Sequence, residues 1–287
     1  MLLTIIAVVV LFTLAFLLAV HLGFRAPRLA NRQTPQDFGL SYENIAFAGH
    51  QGCQLSAWWL PAKHPSQTTV VLLHGWGANK SLMLPLAEPF HRLGWHVMLV
   101  DAHNHGDSEH RGVSTMPKFA EDLESALAWL KHDKPKEAED VIVMGHSVGA
   151  AATLLAASRG LAVRGVISLA SFAHPKAVMQ RQLQKARWVP GLVWLVIHYV
   201  QWVIGHKLDD IAPINAVKKI SIPFLLVHGD QDQIVPLSDH RELCKVASDN
   251  KNVRCLVLPE TDHASIETIQ IHFADLERFI DFLRLSR

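Results

Sequence analysis

Six short runs built almost wholly from Val, Ile, Leu, Met and Phe recur along the chain at helix-length intervals. They lie at Val70–Leu73, His96–Val100, Val141–Met144, Val166–Leu169, Phe224–Val227 and Arg254–Leu258. Runs this short, without polar alternation, fit strands buried on both faces, as in a parallel sheet. Parallel strands need crossovers, and Ser81–Leu93, Pro117–Lys131, Ser147–Ser158, Ser238–Val246 and Ser265–Leu285 are long enough to supply helices. In the last of these, Ile269, Phe273, Leu276, Ile280 and Leu283 recur at spacings of three and four, with Ser265 placed to cap the helix. Asn44–Ala48 and Leu55–Leu60 flank Gly49-His50-Gln51-Gly52 and read as a leading antiparallel hairpin. The expectation is an α/β sheet with helices on both faces. Phe172–Lys219 breaks the rhythm, and within it Trp188–Gly205 is apolar nearly all round, so this stretch reads as an insertion between two strands.

A second constraint lies at the start. Leu2–Val20 carries no charge over 19 residues, which as a helix spans roughly 28 Å, close to the hydrocarbon thickness of a bilayer. The run is longer than the apolar core of a usual signal peptide and lacks a basic leader, so a retained span is expected over residues 2–22. Residues 23–40, with Pro27 and Pro35, read as a linker, and residues 41–287 as the folded body with its insertion at about 172–219. Arg25, Arg28 and Arg32 follow the span, which predicts a single-pass protein with a cytosolic body. The net charge of +1, from 27 basic and 26 acidic residues, gives no field for nucleic acid. Three cysteines, Cys53, Cys244 and Cys255, odd in number and far apart in sequence, argue against a disulfide framework and for a reducing compartment, with one pair plus a free thiol as the alternative.

The chemistry begins at VIVMGHSVGA. Gly145, Ser147 and Gly149 form Gly-x-Ser-x-Gly where a buried strand meets a helix. A serine on so sharp a turn needs small neighbours on either side, because larger ones would collide with the strand and the helix. With the surrounding elements, the chain resembles the α/β-hydrolase superfamily, in its monoacylglycerol-lipase-like and serine-aminopeptidase-like branch, over roughly Asn44 to the C-terminus. That resemblance implies a mostly parallel eight-stranded sheet with helices on both faces and a short helical cap. It implies Ser147 as nucleophile. His74-Gly75-Trp76-Gly77 matches the family's His-Gly-x-Gly loop, which implies an oxyanion hole made by the amides of Trp76 and Val148.

A serine needs a base, and the base a carboxylate. Gly229-Asp230-Gln231-Asp232-Gln233-Ile234-Val235-Pro236 resembles the family's acid turn and implies Asp232 as the acid, with Asp230 as the competing residue. His263, placed after the last strand, matches the family's catalytic histidine; position singles it out among 18 histidines. In this family the insertion commonly carries a cap over the acyl pocket, so Trp188, Trp194, Tyr199 and Trp202 are expected to line a substrate pocket or meet a lipid surface.

One loop offers a rival. LVDAHNHGDSEH sets His103, His105 and Asp107 in a His-x-His-x-Asp pattern reminiscent of a metallohydrolase. Ser108 stands where that metal loop would want another histidine, whereas Asp101 to Ser108 resembles the α/β-hydrolase loop Asp-x-Arg-x-His-Gly-x-Ser, with His103 in the arginine's place. The loop is therefore expected to be scaffolding, with no metal and no cofactor. The function expected is a serine hydrolase acting on carboxylic or lipid-like esters. Thioesterase, amidase or peptidase chemistry on the same machinery and a non-catalytic binding fold are the alternatives.

Overall fold

The computed structural model describes residues 1–23, 25–184, 188 and 190–285. Phe24 of the expected linker, and Lys185, Ala186, Arg187 and Val189 of the expected cap, lie outside the described residues. Among the described residues, eight strands form one sheet: β1 (Glu43–Ala48), β2 (Gln54–Leu60), β3 (Thr68–Leu73), β4 (His96–Asp101), β5 (Asp140–His146), β6 (Gly165–Leu169), β7 (Phe224–Gly229) and β8 (Val253–Leu258). Their order is β1-β2-β4-β3-β5-β6-β7-β8. The hairpin β1–β2 is antiparallel and β2 runs antiparallel to β4, while β4, β3, β5, β6, β7 and β8 are all mutually parallel.

The helices are α1 (Leu2–Gly23), α2 (Leu84–Arg92), α3 (Met116–Asp133), α4 (Val148–Ser158), α5 (Pro175–Gln182), α6 (Leu192–Ile204), α7 (Pro213–Ala216), α8 (Leu237–Val246), α9 (Ile266–Ile271) and α10 (Phe273–Leu285). Strand β3 shows why the apolar runs lack alternation. Val71 and Leu73 pack with Phe119 and Leu123 of α3 and Ala151 and Leu155 of α4, while Val70 and Leu72 pack with Phe90 of α2 and Leu276 and Ile280 of α10. Both faces of the sheet are covered here, so Val70 to Leu73 are apolar without alternation.

The terminal helix expected as one piece is two, α9 and α10, divided at His272. Its apolar set still faces inward: Ile269, Phe273, Leu276, Ile280 and Leu283 are all buried. The cysteine reading needs correction. Cys244 of α8 and Cys255 of β8 form a disulfide, and only Cys53 is free. Helix α8 crosses back over the sheet between β7 and β8, which brings the two Cα atoms to 6.3 Å, within bridging range, although 11 residues separate them.

Helix α1 carries a mean hydropathy of 3.0 and is almost wholly exposed, so by length and composition it is a candidate membrane span. Phe16 and Val20, near its end, pack against the core. The segment that follows is tied down: Arg28 donates to the carbonyls of Gly106 and Ser108, and the Leu29 carbonyl accepts from the Asn79 side chain. The linker is thus a strap across the loops after β3 and β4.

Candidate active site

Strand β5 ends at His146 and α4 begins at Val148, leaving Ser147 alone on the turn at φ 54°, ψ −118°. A non-glycine residue at positive φ is strained, and the surrounding packing must impose it. The flanking glycines show how. A Cβ on Gly145 would lie 2.3 Å from the carbonyl oxygen of Gly149, and one on Gly149 would lie 2.3 Å from that of His74. Helix α4 therefore sits directly against β5 and the loop after β3, and only glycine permits that approach.

Two loops at the same end of the sheet complete a chain of hydrogen bonds. Asp232 comes from the loop after β7 and His263 from the loop after β8. The Ser147 Oγ lies 2.9 Å from His263 Nε2, and His263 Nδ1 lies 2.7 Å from Asp232 Oδ2. The other carboxylate oxygen of Asp232 accepts from the amides of Ile234 and Val235 at 2.9 and 2.8 Å. Burial pushes the Asp232 carboxyl up. The His263 hydrogen bond, the Val235 amide and the charges of His263 and His228 outweigh it, so the pKa falls below the ordinary aspartate value. Asp230, the competing acid, is exposed. A hydroxyl, an imidazole and an ionised carboxylate linked in this order can generate a nucleophile and hold the resulting imidazolium.

The His74–Gly77 loop after β3 lies against the serine. A Cβ on Gly75 would come within 3.0 Å of the Ser147 Cβ. As the first residue of α4, Val148 has no intrahelical acceptor for its amide. The neighbouring Gly77 amide is already spent on His105 Nε2, at 3.1 Å. Trp76, Gly77, Ser147 and His263 all line one open groove.

Sequence reasoning missed His146. Its Nε2–H donates to the carbonyl of His263 across 2.9 Å, and the two rings lie 5.0 Å apart. Burial first, then repulsion from His263, lowers its pKa to about 4, so it is neutral near pH 7. The only signal was its place inside the Gly-x-Ser-x-Gly motif.

The His-x-His-x-Asp loop is held by protein partners. His103 Nδ1 and its own amide both bond the Asp122 carboxylate, at 2.7 and 2.9 Å, so this histidine ties the loop to α3 where the family pattern has arginine. His105 accepts from Gly77, and Asp107 accepts from Lys80 and Asn31, each at 2.7 Å. Lys80, which the sequence reading also passed over, is completely buried; its ammonium meets Asp101 and Asp107 at 2.7 Å and Ser56 at 3.0 Å. Among the described residues, His240, Cys244 and Cys255 gather three potential metal-ligand atoms, but both sulfurs are joined to each other.

The four aromatic residues expected to line a pocket or meet a lipid surface separate. Tyr199 lines an apolar cavity beneath the cap. Trp188, Trp194 and Trp202 instead are 80%, 63% and 78% exposed. An α6 helix that is apolar all round hides which face turns inward; the inner face is Val196, Ile197 and Val200.

The fold and site can be set beside known proteins. A Pyrococcus furiosus esterase, Pf2001, superposes with a TM-score of 0.72 at 23% identity, covering 90% of this chain and 97% of that one. The Escherichia coli K12 protein YfhR, uncharacterized, is 24% identical over 253 residues, 85% of this chain and 81% of its own. A zebrafish (Danio rerio) lysophosphatidylserine lipase, ABHD12, is 26% identical over 267 residues, 82% of this chain and 66% of its own. The model of the hydrolase family described as serine aminopeptidase, S33, matches residues 64–211, just over half of the chain, and the protein belongs to that α/β-hydrolase family.

Proposed function

We propose that the protein is a serine hydrolase that cleaves carboxylic or lipid-like esters through an acyl-enzyme. The observation that carries this reading is the unbroken series Ser147 Oγ, His263, Asp232, with contacts of 2.9 and 2.7 Å. His263 Nε2 takes the proton as Ser147 Oγ attacks the ester carbonyl, and Asp232 holds the Nδ1–H and stabilises the imidazolium. The oxyanion binds the amides of Val148 and Trp76, a contribution of about 3–4 kcal/mol per donor in such sites. The imidazolium then protonates the departing alkoxide. Water, activated by the same histidine, attacks the acyl-serine, and the acid leaves. An apolar cavity bordering Trp76 favours an acyl substrate over a peptide.

Helix α1 supports a single-pass membrane protein. We place the body on an oxidising side, because the Cys244–Cys255 disulfide persists there and not in a reducing cytosol. The second reading, a cytosolic body, rests on Arg25, Arg28 and Arg32, of which Arg28 already serves the strap.

The test is substitution. Ser147→Ala abolishes fluorophosphonate labelling and p-nitrophenyl ester hydrolysis. Asp232→Asn lowers kcat by on the order of 10⁴, while Asp230→Asn leaves it within a few-fold. Full turnover by the Ser147→Ala protein sinks the mechanism.

A further inference from the structure

Beneath the cap lies a cavity of about 150 Å³ whose walls come from distant parts of the chain. Val20 and His21 belong to the last turn of α1; Val200, Val203 and Ile204 belong to α6; and the Trp76 side chain projects from the loop after β3. Met179, Leu208 and Ile211 extend the apolar lining. Trp76 also lines the groove that holds Ser147 and His263, so one residue borders both spaces. The ring is held, stacked on Phe119 at 6.4 Å and set edge-on to His105 at 6.0 Å.

The position of α1 gives the cavity its meaning. Most of this helix is a bare apolar rod, with Leu3, Leu11, Phe12 and Leu14 exposed, whereas Phe16 and Val20 pack into the cluster that contains Val200 and Ile204. A helix of 22 residues spans about 33 Å and matches the hydrocarbon of a bilayer. The cavity sits at the body-side end of α1, which for a helix spanning a bilayer is the end where hydrocarbon gives way to headgroups. On α6, Trp194, His198 and Trp202 recur every four residues on the outward side, and exposed tryptophans suit that boundary.

We propose that α1 does more than anchor the protein: its last turn, with α6 and Trp76, forms an acyl-chain subsite that receives the hydrocarbon chain of a lipid ester directly from the bilayer, and Trp76 governs which chains reach Ser147. The proposal rests on the reading of Ser147 as nucleophile. A cavity of this size holds a guest of roughly six carbons, as benzene fills one of about 150 Å³ elsewhere. The remainder of a long chain stays alongside α1 in the hydrocarbon, which spares it transfer through water.

The experiment uses the full chain in phosphatidylcholine vesicles, with p-nitrophenyl acetate and p-nitrophenyl laurate. Val200→Trp and Val20→Trp fill the cavity from opposite walls, and each lowers the laurate-to-acetate ratio of kcat/KM by about tenfold or more, while Trp76→Ala raises it. A ratio unmoved by either filling, or moved by Val200→Trp alone, overturns the role of α1. Fluorophosphonate labelling, run in parallel, reports Ser147 itself: its loss in the unmodified protein condemns the serine reading, and its retention with an unmoved ratio condemns only the subsite. Should a filled variant fail to fold, a diazirine-tagged fatty-acyl chain in the vesicles is cross-linked to the unmodified protein. Adducts on the last turn of α1 and on Val200 to Ile204 support the subsite; adducts confined to Trp194 and Trp202 overturn it.

Discussion

His146 donates its Nε2–H to the backbone carbonyl of His263 across 2.9 Å. The residue immediately before the proposed nucleophile therefore fixes the main chain of the proposed base, which tethers the loop after β8 to the end of β5. The carbonyl can only accept, so the bond sets the tautomer of His146 and requires its Nε2 to carry the proton.

His146 acts as a positioning residue, and its removal should lower kcat far more than it changes KM. The expected loss for His146→Ala is on the order of tenfold to a hundredfold, the cost of a base displaced by a fraction of an ångström to about 1 Å. His146→Gln, which keeps an N–H donor at similar reach, should recover part of it. Steady-state kinetics on both variants with p-nitrophenyl acetate check this; equal losses in the two indicate a packing role only.

Stability should fall in acid over a window set by buried neutral histidines. His105, His146 and His240 each titrate at about 4, lowered first by burial and then by a neighbouring histidine: His74, His263 and His228 respectively. Between pH 6.5 and 4 the unfolded chain binds protons that the folded chain does not, so stability rises with pH across that range and is lost as pH falls. Each group contributes on the order of 1–3 kcal/mol by pH 4. Urea midpoints measured at half-unit steps from pH 7 to 4 should decline through this window. A flat profile from pH 6.5 to 4.5 would show that these rings are not neutral when folded.

The residues found from sequence and those missed differ in a physical way. Ser147, Asp232 and His263 are legible because each follows a strand, buried in β5 and β7 and at the sheet edge in β8, and a strand's end fixes a loop residue relative to its neighbours. Gly145 and Gly149 are legible because a close backbone approach leaves only one residue type possible. Lys80 was invisible, since a lysine in a polar loop reads as solvated until Asp101 is known to lie beneath it. The inward face of α6 was invisible as well, because Leu, Val and Trp on every side leave periodicity nothing to detect. His103 was half legible: the sequence showed an arginine position filled by histidine, and only the fold supplies Asp122 as the partner that makes it work.

The Lys80 centre should behave as a buried ion pair rather than a surface one. Asp101 is fully buried and accepts from the Lys80 ammonium and amide and from the Asp107 amide. Lys80→Met removes the counter-charge while the carboxylate stays buried, an expected cost of about 3–5 kcal/mol. Asn31 of the strap also bonds Asp107 at 2.7 Å, so Asn31→Ala should give a smaller loss of about 1 kcal/mol. Chemical denaturation of the full chain in detergent measures both. A loss under 1 kcal/mol for Lys80→Met would mean that Asp101 takes up a proton when the lysine is gone.

The disulfide and the arginines after α1 make opposite statements about the membrane, and thiol accessibility separates them. Cys255, on the edge strand β8, is exposed, and reduction frees it together with Cys244. Cys53 is buried and its thiol pKa is raised, by burial first and then by Glu109 and Asp122, so it reacts slowly in the folded protein. Intact cells are treated with a membrane-impermeant maleimide, with and without prior exposure to an impermeant reductant. A body on the oxidising side gains two adducts, at Cys244 and Cys255, only after reduction. A cytosolic body gains none under either condition and yields its adducts only after lysis, with the pair already reduced; that outcome would restore the orientation set by Arg25 and Arg32 and leave the bridge as a contact formed only on oxidation.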